Sequence, residues 1–517
     1  MASLLEAPRS ASKWSTLVAV CLGLGMLMID TFVVNVAFPA IGRDLDASLS
    51  TAEWTVSGYV LVLGVFPLAM GRLGDILGRR RVYLWGLLLF VIASAGCGLA
   101  ANVEQLIALR VVQGLGAAVM MPGTLSIVTN AFPPHQRGLA IDLWGGVSGI
   151  GLIAGPILGG LLVHGDSWRW IFLVNVPIGV VAMGMGLRRI PESRDPNAPR
   201  SIDFAGAALL AGGLALAMFA LTEANARGWT DGIILGCFGG GAALLVLFVV
   251  VELRLPYPLV DVRLFRNAQF AMACLSAFLF SAAVFGTQPF TSLFMQNSLG
   301  FSPLEGGLGF LPATALVATL MPFSGVLAQR LGTRIRLLLI AGSASVAISF
   351  VYLLLLTPED GYLSGLAPAF VLRGLGIGLF MSTSSVAVMS SLPMTKAGLA
   401  SGTLTMFRQT GTAVGVALFG AIFVHHIDAD VPARLEGRDP AEVARVTAAA
   451  EHFAAVGEGE VRDAARASVV DGFVLMSQAG VAVATVAATS AFFLRRRETA
   501  PAPAAVTPDP LAAPAEA

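Results

Sequence analysis

The chain has 517 residues, 56% of them hydrophobic and 12% charged, with a mean hydropathy of +0.79. A soluble domain carries about 25% charged residues, so this composition excludes one and places the chain in the bilayer. The formal net charge is zero, which leaves no case for a nucleic-acid partner.

Apolar runs of about 20 residues, long enough to cross hydrocarbon as helices, occur fourteen times. Met1–Ser12 is short and polar. The first run, 16–37, is too long for a signal-peptide core and lacks a convincing cleavage site, so an uncleaved spanner is expected. Further runs lie at 54–72, 82–101, 106–128, 139–162 and 169–188, and then at 203–222 and 232–252. The last six lie at 268–296, 304–328, 335–356, 362–390, 398–424 and 471–494. An even count puts both ends of the chain on one side. The termini and the loops after even-numbered spanners hold 21 lysines and arginines, against three (Arg43, Arg169, Arg227) in the short loops opposite. The lopsided count places both termini in the cytoplasm.

Segment 425–470 is then a long loop outside. Asp439-Pro440 reads as an N-cap followed by Pro at the first helical position, which opens one or two short amphipathic helices. His425-His426 begins the loop with no third ligand in view, so no metal is expected. Cys21, Cys97, Cys237 and Cys274 all lie in apolar runs, as small buried fillers without a disulfide framework. Neither Lys13 nor Lys396 ends a Gly-x-x-x-x-Gly-Lys-Ser/Thr loop, so the chain has no phosphate cradle of that kind.

The chain also repeats itself. Gly71-Arg-Leu-Gly-Asp-Ile-Leu-Gly-Arg-Arg-Arg returns as Gly325-Val-Leu-Ala-Gln-Arg-Leu-Gly-Thr-Arg-Ile. Leu109-Arg110 returns as Leu372-Arg373, and Gly138-Leu-Ala as Gly398-Leu-Ala. The expected fold is all-α with fourteen transmembrane helices: two six-helix pseudo-repeat bundles plus two inserted helices. The layout is a cytoplasmic N-terminus (1–15), an N-terminal bundle (16–190), and cytoplasmic linkers with the inserted helices (191–267). A C-terminal bundle (268–495) and a disordered tail (496–517) complete it.

Several stretches carry possible chemistry. Asp30 sits mid-membrane, where a carboxylate costs a few kcal/mol unless it is protonated or paired. It is either a proton carrier or a structural partner for an arginine such as Arg110, whose charge cannot be shed. Gly151, Gly155, Gly159 and Gly160 permit close helix contact, and Pro156 kinks the same helix. Asn35, Gln113, Gln288, Gln296 and Arg408 either line a cavity or bind helices to one another. Glu223 and Glu305 lie at helix ends where solvation is cheap, and Asp142 lies near a helix N-terminus.

Gly71, Leu73, Asp75, Gly78, Arg79 and Arg80 resemble the signature loop between the second and third helices of the major facilitator superfamily. Gly74 stands where that family often has Ala. The stretch Arg110–Ala118 is similar to the superfamily's second motif, and Gly151–Gly160 to its antiporter motif. Asp30-Thr-x-x-x-Asn35-Val-Ala-x-Pro39 resembles the first helix of its drug:proton antiporters with fourteen spanners. The resemblance implies proton-coupled export of drugs or antibiotics across a bacterial cytoplasmic membrane, by a monomer needing no cofactor beyond the proton gradient. It implies a conformational latch at Gly71, Asp75, Gly78, Arg79 and Arg80, with Asp75 pairing across the interface between halves. Asp30 and Arg110 are the expected coupling residues. Some relatives place an acid in spanner 13, where this chain has Arg408-Gln409 and neither Asp nor Glu. Export of an endogenous metabolite or lipid is the alternative. A membrane enzyme would cluster His, Asp or Glu at one face, and a sensor would carry a soluble signalling domain; neither pattern is present.

Overall fold

The computed structural model describes residues 13–133, 136–164, 167–194, 201–331, 334–355, 362–392, 397–451 and 460–494. The expected polar N-terminus falls mostly outside the described residues, and so does the expected disordered tail.

The first half contains α1 (Lys13–Asp44), α2 (Leu49–Val65), α3 (Pro67–Leu77), α4 (Arg79–Gly98) and α5 (Val103–Ala131). It closes with α6 (Arg137–His164), α7 (Trp170–Leu173) and α8 (Asn175–Arg189). Two inserted helices follow, α9 (Phe204–Arg227) and α10 (Gly232–Arg254). The second half contains α11 (Ala268–Gly286), α12 (Gln288–Asn297), α13 (Pro303–Gly309), α14 (Leu311–Leu331) and α15 (Ile335–Leu353). It ends with α16 (Ala367–Ser390), α17 (Ala397–Arg434), α18 (Pro440–Glu451) and α19 (Glu460–Phe492).

Among the described residues, twelve helices are long and apolar enough to cross a membrane, or thirteen when α2 and α3 count as one span. Those two meet at 49°, at Pro67, whose ring removes a helix hydrogen bond. The run 139–162 lies in α6, a helix of 28 residues and so long enough to span, though its described apolar stretch is Ala154–Val163. The described residues therefore do not confirm a count of fourteen. Segment 425–470 is also more helical than a loop: α17 continues to Arg434, and α19 already begins at Glu460. Hydropathy marks the edge of hydrocarbon, not the end of a helix. Beyond that edge, Arg434 bonds both Asp430 and Asp471 and ties the two helices together.

The halves are built alike. A Cβ on Gly116 of α5 would lie 2.6 Å from Phe90 N of α4, and one on Gly376 of α16 would lie 2.6 Å from Gly342 O of α15. Likewise Gly114 abuts Tyr59 O of α2, and Gly374 abuts Ala313 O of α14. These pairs share one register, which superposes Arg373 on Gln113. The Leu109-Arg110 to Leu372-Arg373 match is therefore one helical turn out of register with the packing.

The helices alternate in direction, so the bundle has one end bearing Gly78 and another bearing Asp44. Helices α1, α2 and α6 meet the second half through α12, α17 and α13. Towards the Asp44 end Gln296 Nε2 donates to Val36 O at 2.9 Å, and a Cβ on Gly160 would lie 2.6 Å from Leu304 Cα. Nearer the Gly78 end, Leu68 of α3 touches Gly402 of α17.

Candidate functional site

Asp30 is fully buried on α1 and faces the interior of its own half. Arg110 Nη1 donates to its Oδ2 at 2.7 Å. Gln113 Nε2 and Asn175 Nδ2 donate to its Oδ1 at 2.8 and 2.9 Å. Arg110 is anchored in turn: its Nη1 donates to Gln113 Oε1, its Nε to Thr55 O, and its guanidinium lies 4.0 Å above the Tyr59 ring. Asn175 also donates to Ser94 Oγ, whose hydroxyl donates to Phe172 O. One carboxylate thus joins α1, α5 and α8, and Arg110 extends the link to α2. The carboxylate's desolvation is offset by donors, the arrangement under which a buried ion pair is tolerable.

The small residues of α6 form two seams. Cβ atoms on Gly151 and Gly155 would meet Met28 and Phe32 Cβ at 2.4 and 2.7 Å, so α6 lies flush against α1 beside Asp30. A Cβ on Gly159 would lie 3.0 Å from Val33 O on that same face. Pro156 and Gly160 face α13 across the halves, where a Cβ on Gly307 would lie 2.2 Å from Pro156 O. The stretch therefore connects the helix bearing Asp30 to the other half.

At the Gly78 turn, Arg79 pairs with Asp75 at 2.8 Å one helical turn away. The Arg79 and Arg80 amides donate to Ser193 O and Glu192 Oε1, and Arg80 Nη2 donates to Leu187 O. Gly78 has φ +119°, and a Cβ there would lie 2.6 Å from the Glu192 carboxyl carbon. A Cβ on Gly71 would lie 3.3 Å from Pro122 on α5. These contacts stay within the first half. Arg72 reaches out of it, donating to Tyr257 O and Pro258 O at 2.8 and 2.9 Å, beyond α10. Among the described residues, the implied pairing of Asp75 across the halves is not made in this conformation.

A family model described as the Major Facilitator Superfamily matches residues 20–416. This chain belongs to the major facilitator superfamily. The tetracenomycin C resistance and export protein of Streptomyces glaucescens is 33% identical over 499 residues, covering 94% of this chain and 92% of that protein. A probable actinorhodin transporter of Streptomyces coelicolor is 35% identical over 457 residues, covering 86% and 78%. A multidrug resistance protein of Mycobacterium tuberculosis is 34% identical over 432 residues, covering 83% and 79%. In fold, the chain resembles an inward-facing, unoccupied bacterial homologue of the human lysosomal transporter Spinster. The TM-score is 0.67 at 17% identity, with 94% and 98% of the two chains covered. The relatives are transporters and not enzymes.

In this superfamily member the five expected cavity residues do not converge. Gln113 belongs to the Asp30 cluster. Gln288 lines a small pocket in the second half with Arg373. Gln296 ties α12 to α1, and Asn35 is buried with an unpartnered Oδ1. Arg408 Nη2 donates to Met381 O and Ser384 Oγ, both at 2.6 Å, so it binds α17 to α16.

Sequence reasoning missed two residues and undervalued a third. Asn175 drew no attention because one Asn near a helix start has no motif around it. Glu53 was placed outside the span, yet α2 begins at Leu49 with Ser48 as its cap. Glu53 is buried against Gly420 of α17, and neither of its carboxylate oxygens has a partner among the described residues. The signal was present in Ser48-x-x-Thr51, which places the helix start a turn earlier. Arg373 was noticed only as an echo of Arg110. Finally, the fold gathers ligand atoms of His426, Asp430 and Asp471 within 4.8 Å, although Arg434 already engages both carboxylates.

Proposed function

We propose that this protein exports amphipathic small molecules of the antibiotic kind across the bacterial cytoplasmic membrane in exchange for protons. Asp30 is the coupling acid and Arg110 its partner. The observation that carries the reading is the buried Asp30 cluster. Every polar neighbour within hydrogen-bond distance of the carboxylate is a donor, a pattern that suits its anion. Protonation turns one oxygen into a donor, which cannot face an Arg110 N–H. The link between α1 and α5 then weakens, and α1 carries that change to the second half through α6 and α12. Taking up a proton on one side and releasing it on the other would couple the gradient to rocking of the halves. One pH unit supplies about 1.4 kcal/mol per proton, enough for a tenfold gradient at one-to-one exchange.

Both termini and the Gly78 end lie in the cytoplasm on this reading, with the latch residues Gly71, Asp75, Gly78, Arg79 and Arg80 closing that end in the alternate state. The protein works as a monomer in the lipid bilayer. The names of the relatives support export of antibiotics, and those from Streptomyces favour a self-made product as the cargo.

The test is a resistance panel in an efflux-deficient host, with and without a proton uncoupler, beside export from vesicles under an imposed pH gradient. Resistance that collapses on uncoupling, together with uphill export driven by the gradient alone, is expected. Resistance unchanged by the uncoupler would overturn the proton-coupled reading.

A further inference from the structure

Arg373 is a buried charge that the mechanism above does not use. It sits on α16 and is 5% exposed, and its Nε and Nη2 have no hydrogen-bond partner among the described residues. Its guanidinium lies 4.6 Å from the Phe350 ring centre. An arginine cannot shed its charge, and a single aromatic face does not replace the hydrogen bonds lost on leaving water.

The register of the two halves sharpens the point. In the first half the equivalent position holds Gln113, which donates to Asp30. In the second half it holds a cation, and the matching acid is missing. Helices α11, α12, α14, α15 and α16 contain no Asp or Glu. The guanidinium instead borders a pocket of about 30 Å³, lined also by Phe285, Gln288, Thr314 and Ile377. That is room for a water or two, a monatomic anion or the end of a carboxylate, and not for a whole drug-sized molecule. Gln288 and Thr314 bring polar side chains to the same walls.

We propose that the Arg373 pocket is an anion site, taking either a small inorganic anion or the acidic group of an organic molecule. An anion there supplies the charge that Asp30 supplies in the other half. A bound anion would brace α14 and α16 as Asp30 braces α1 and α5, and transport of acidic compounds would depend on it.

The test is thermal unfolding of the purified protein in detergent, which needs no transport assay, so it is independent of whether the protein exports antibiotics. Chloride is titrated against sulfate, a polyatomic anion too bulky for the pocket, at constant ionic strength, and benzoate against neutral methyl benzoate. A saturable rise on the order of 2–5 °C, at about a hundredfold excess over Kd, is expected with one of the two anions. A response to chloride alone assigns a free inorganic anion. A response to benzoate and not to its ester assigns the acidic end of an organic ligand. Arg373→Gln should abolish whichever response appears, and Arg373→Lys should keep it in weakened form. The wild-type titration stands by itself if Arg373→Gln does not fold. The proposal is overturned if neither anion raises the wild-type midpoint, or if Arg373→Gln responds as the wild type does.

Discussion

At the scale of the residue, the Asp30–Arg110 pair is a bond whose value depends on keeping both members. Removing one partner of a buried ion pair leaves an uncompensated charge and costs about 3–5 kcal/mol, whereas removing both is far cheaper. Asp30→Asn and Arg110→Gln should each lower the melting midpoint in detergent, and the double variant should recover much of the loss. A double variant as unstable as the sum of the singles would mean that the pair is not a unit. All three should lose gradient-driven export, because none keeps the titrating pair. Asn175→Ala removes one donor and keeps the pair, so a smaller loss of about 1–2 kcal/mol is expected in the same melt.

At the scale of the element, small residues decide which helices can touch, and the effect of adding a methyl group should change sign along α6. Ala is intrinsically favoured over Gly in a helix by about 1 kcal/mol. At Gly145 nothing among the described residues lies within 4 Å of an added Cβ, so Gly145→Ala should be neutral or stabilising. At Gly160 the added Cβ would fall 2.6 Å from both Leu304 Cα and Pro303 O, which are backbone atoms that cannot swing aside. Gly160→Ala should force α6 and α13 apart, lower export at least tenfold, and increase labelling of cysteines placed near the Asp44 end. Equal behaviour of the two variants would show that the seam between halves is looser than the structure has it. The Asp75–Arg79 pair, by contrast, is one turn apart and partly exposed, a geometry worth under about 1 kcal/mol. On the proposed reading its role belongs to the alternate state, where Asp75 would find other partners.

At the scale of the whole molecule, the arrangement is two halves of matching register with α9 and α10 set beside them. α9 touches both α2 and α17, and Asn225 of α9 donates to Ala421 O of α17. Orientation follows from charge. A cysteine at Asp439 should react with an impermeant reagent on intact cells, and one at Arg263 only after lysis, both in a background lacking Cys21, Cys97, Cys237 and Cys274. Asp439 and Arg263 are exposed in the structure, so the contrast reports sidedness and not burial. The reverse pattern would invert the whole topology.

Composition and run length sufficed for an all-helical membrane protein, because hydrocarbon forces every spanning backbone to satisfy its own hydrogen bonds. The repeat of glycine-rich stretches revealed two related halves, because close helix contact leaves a local mark in sequence. The expense of a mid-membrane charge singled out Asp30 and Arg110. What the linear chain could not reveal was direction. A side chain on a helix faces whichever neighbour the packing supplies, and that neighbour can lie 145 residues away, as Asn175 does from Asp30. Tertiary structure therefore decided that Asp30 is enclosed in its own half, that Gln113 serves it instead of a cavity, and that Glu53 is buried. It also decided that Arg373 pairs with no acid among the described residues. The same two residue types, Arg and Gln, hold opposite roles in the two halves because only one of those halves brings a carboxylate to meet them.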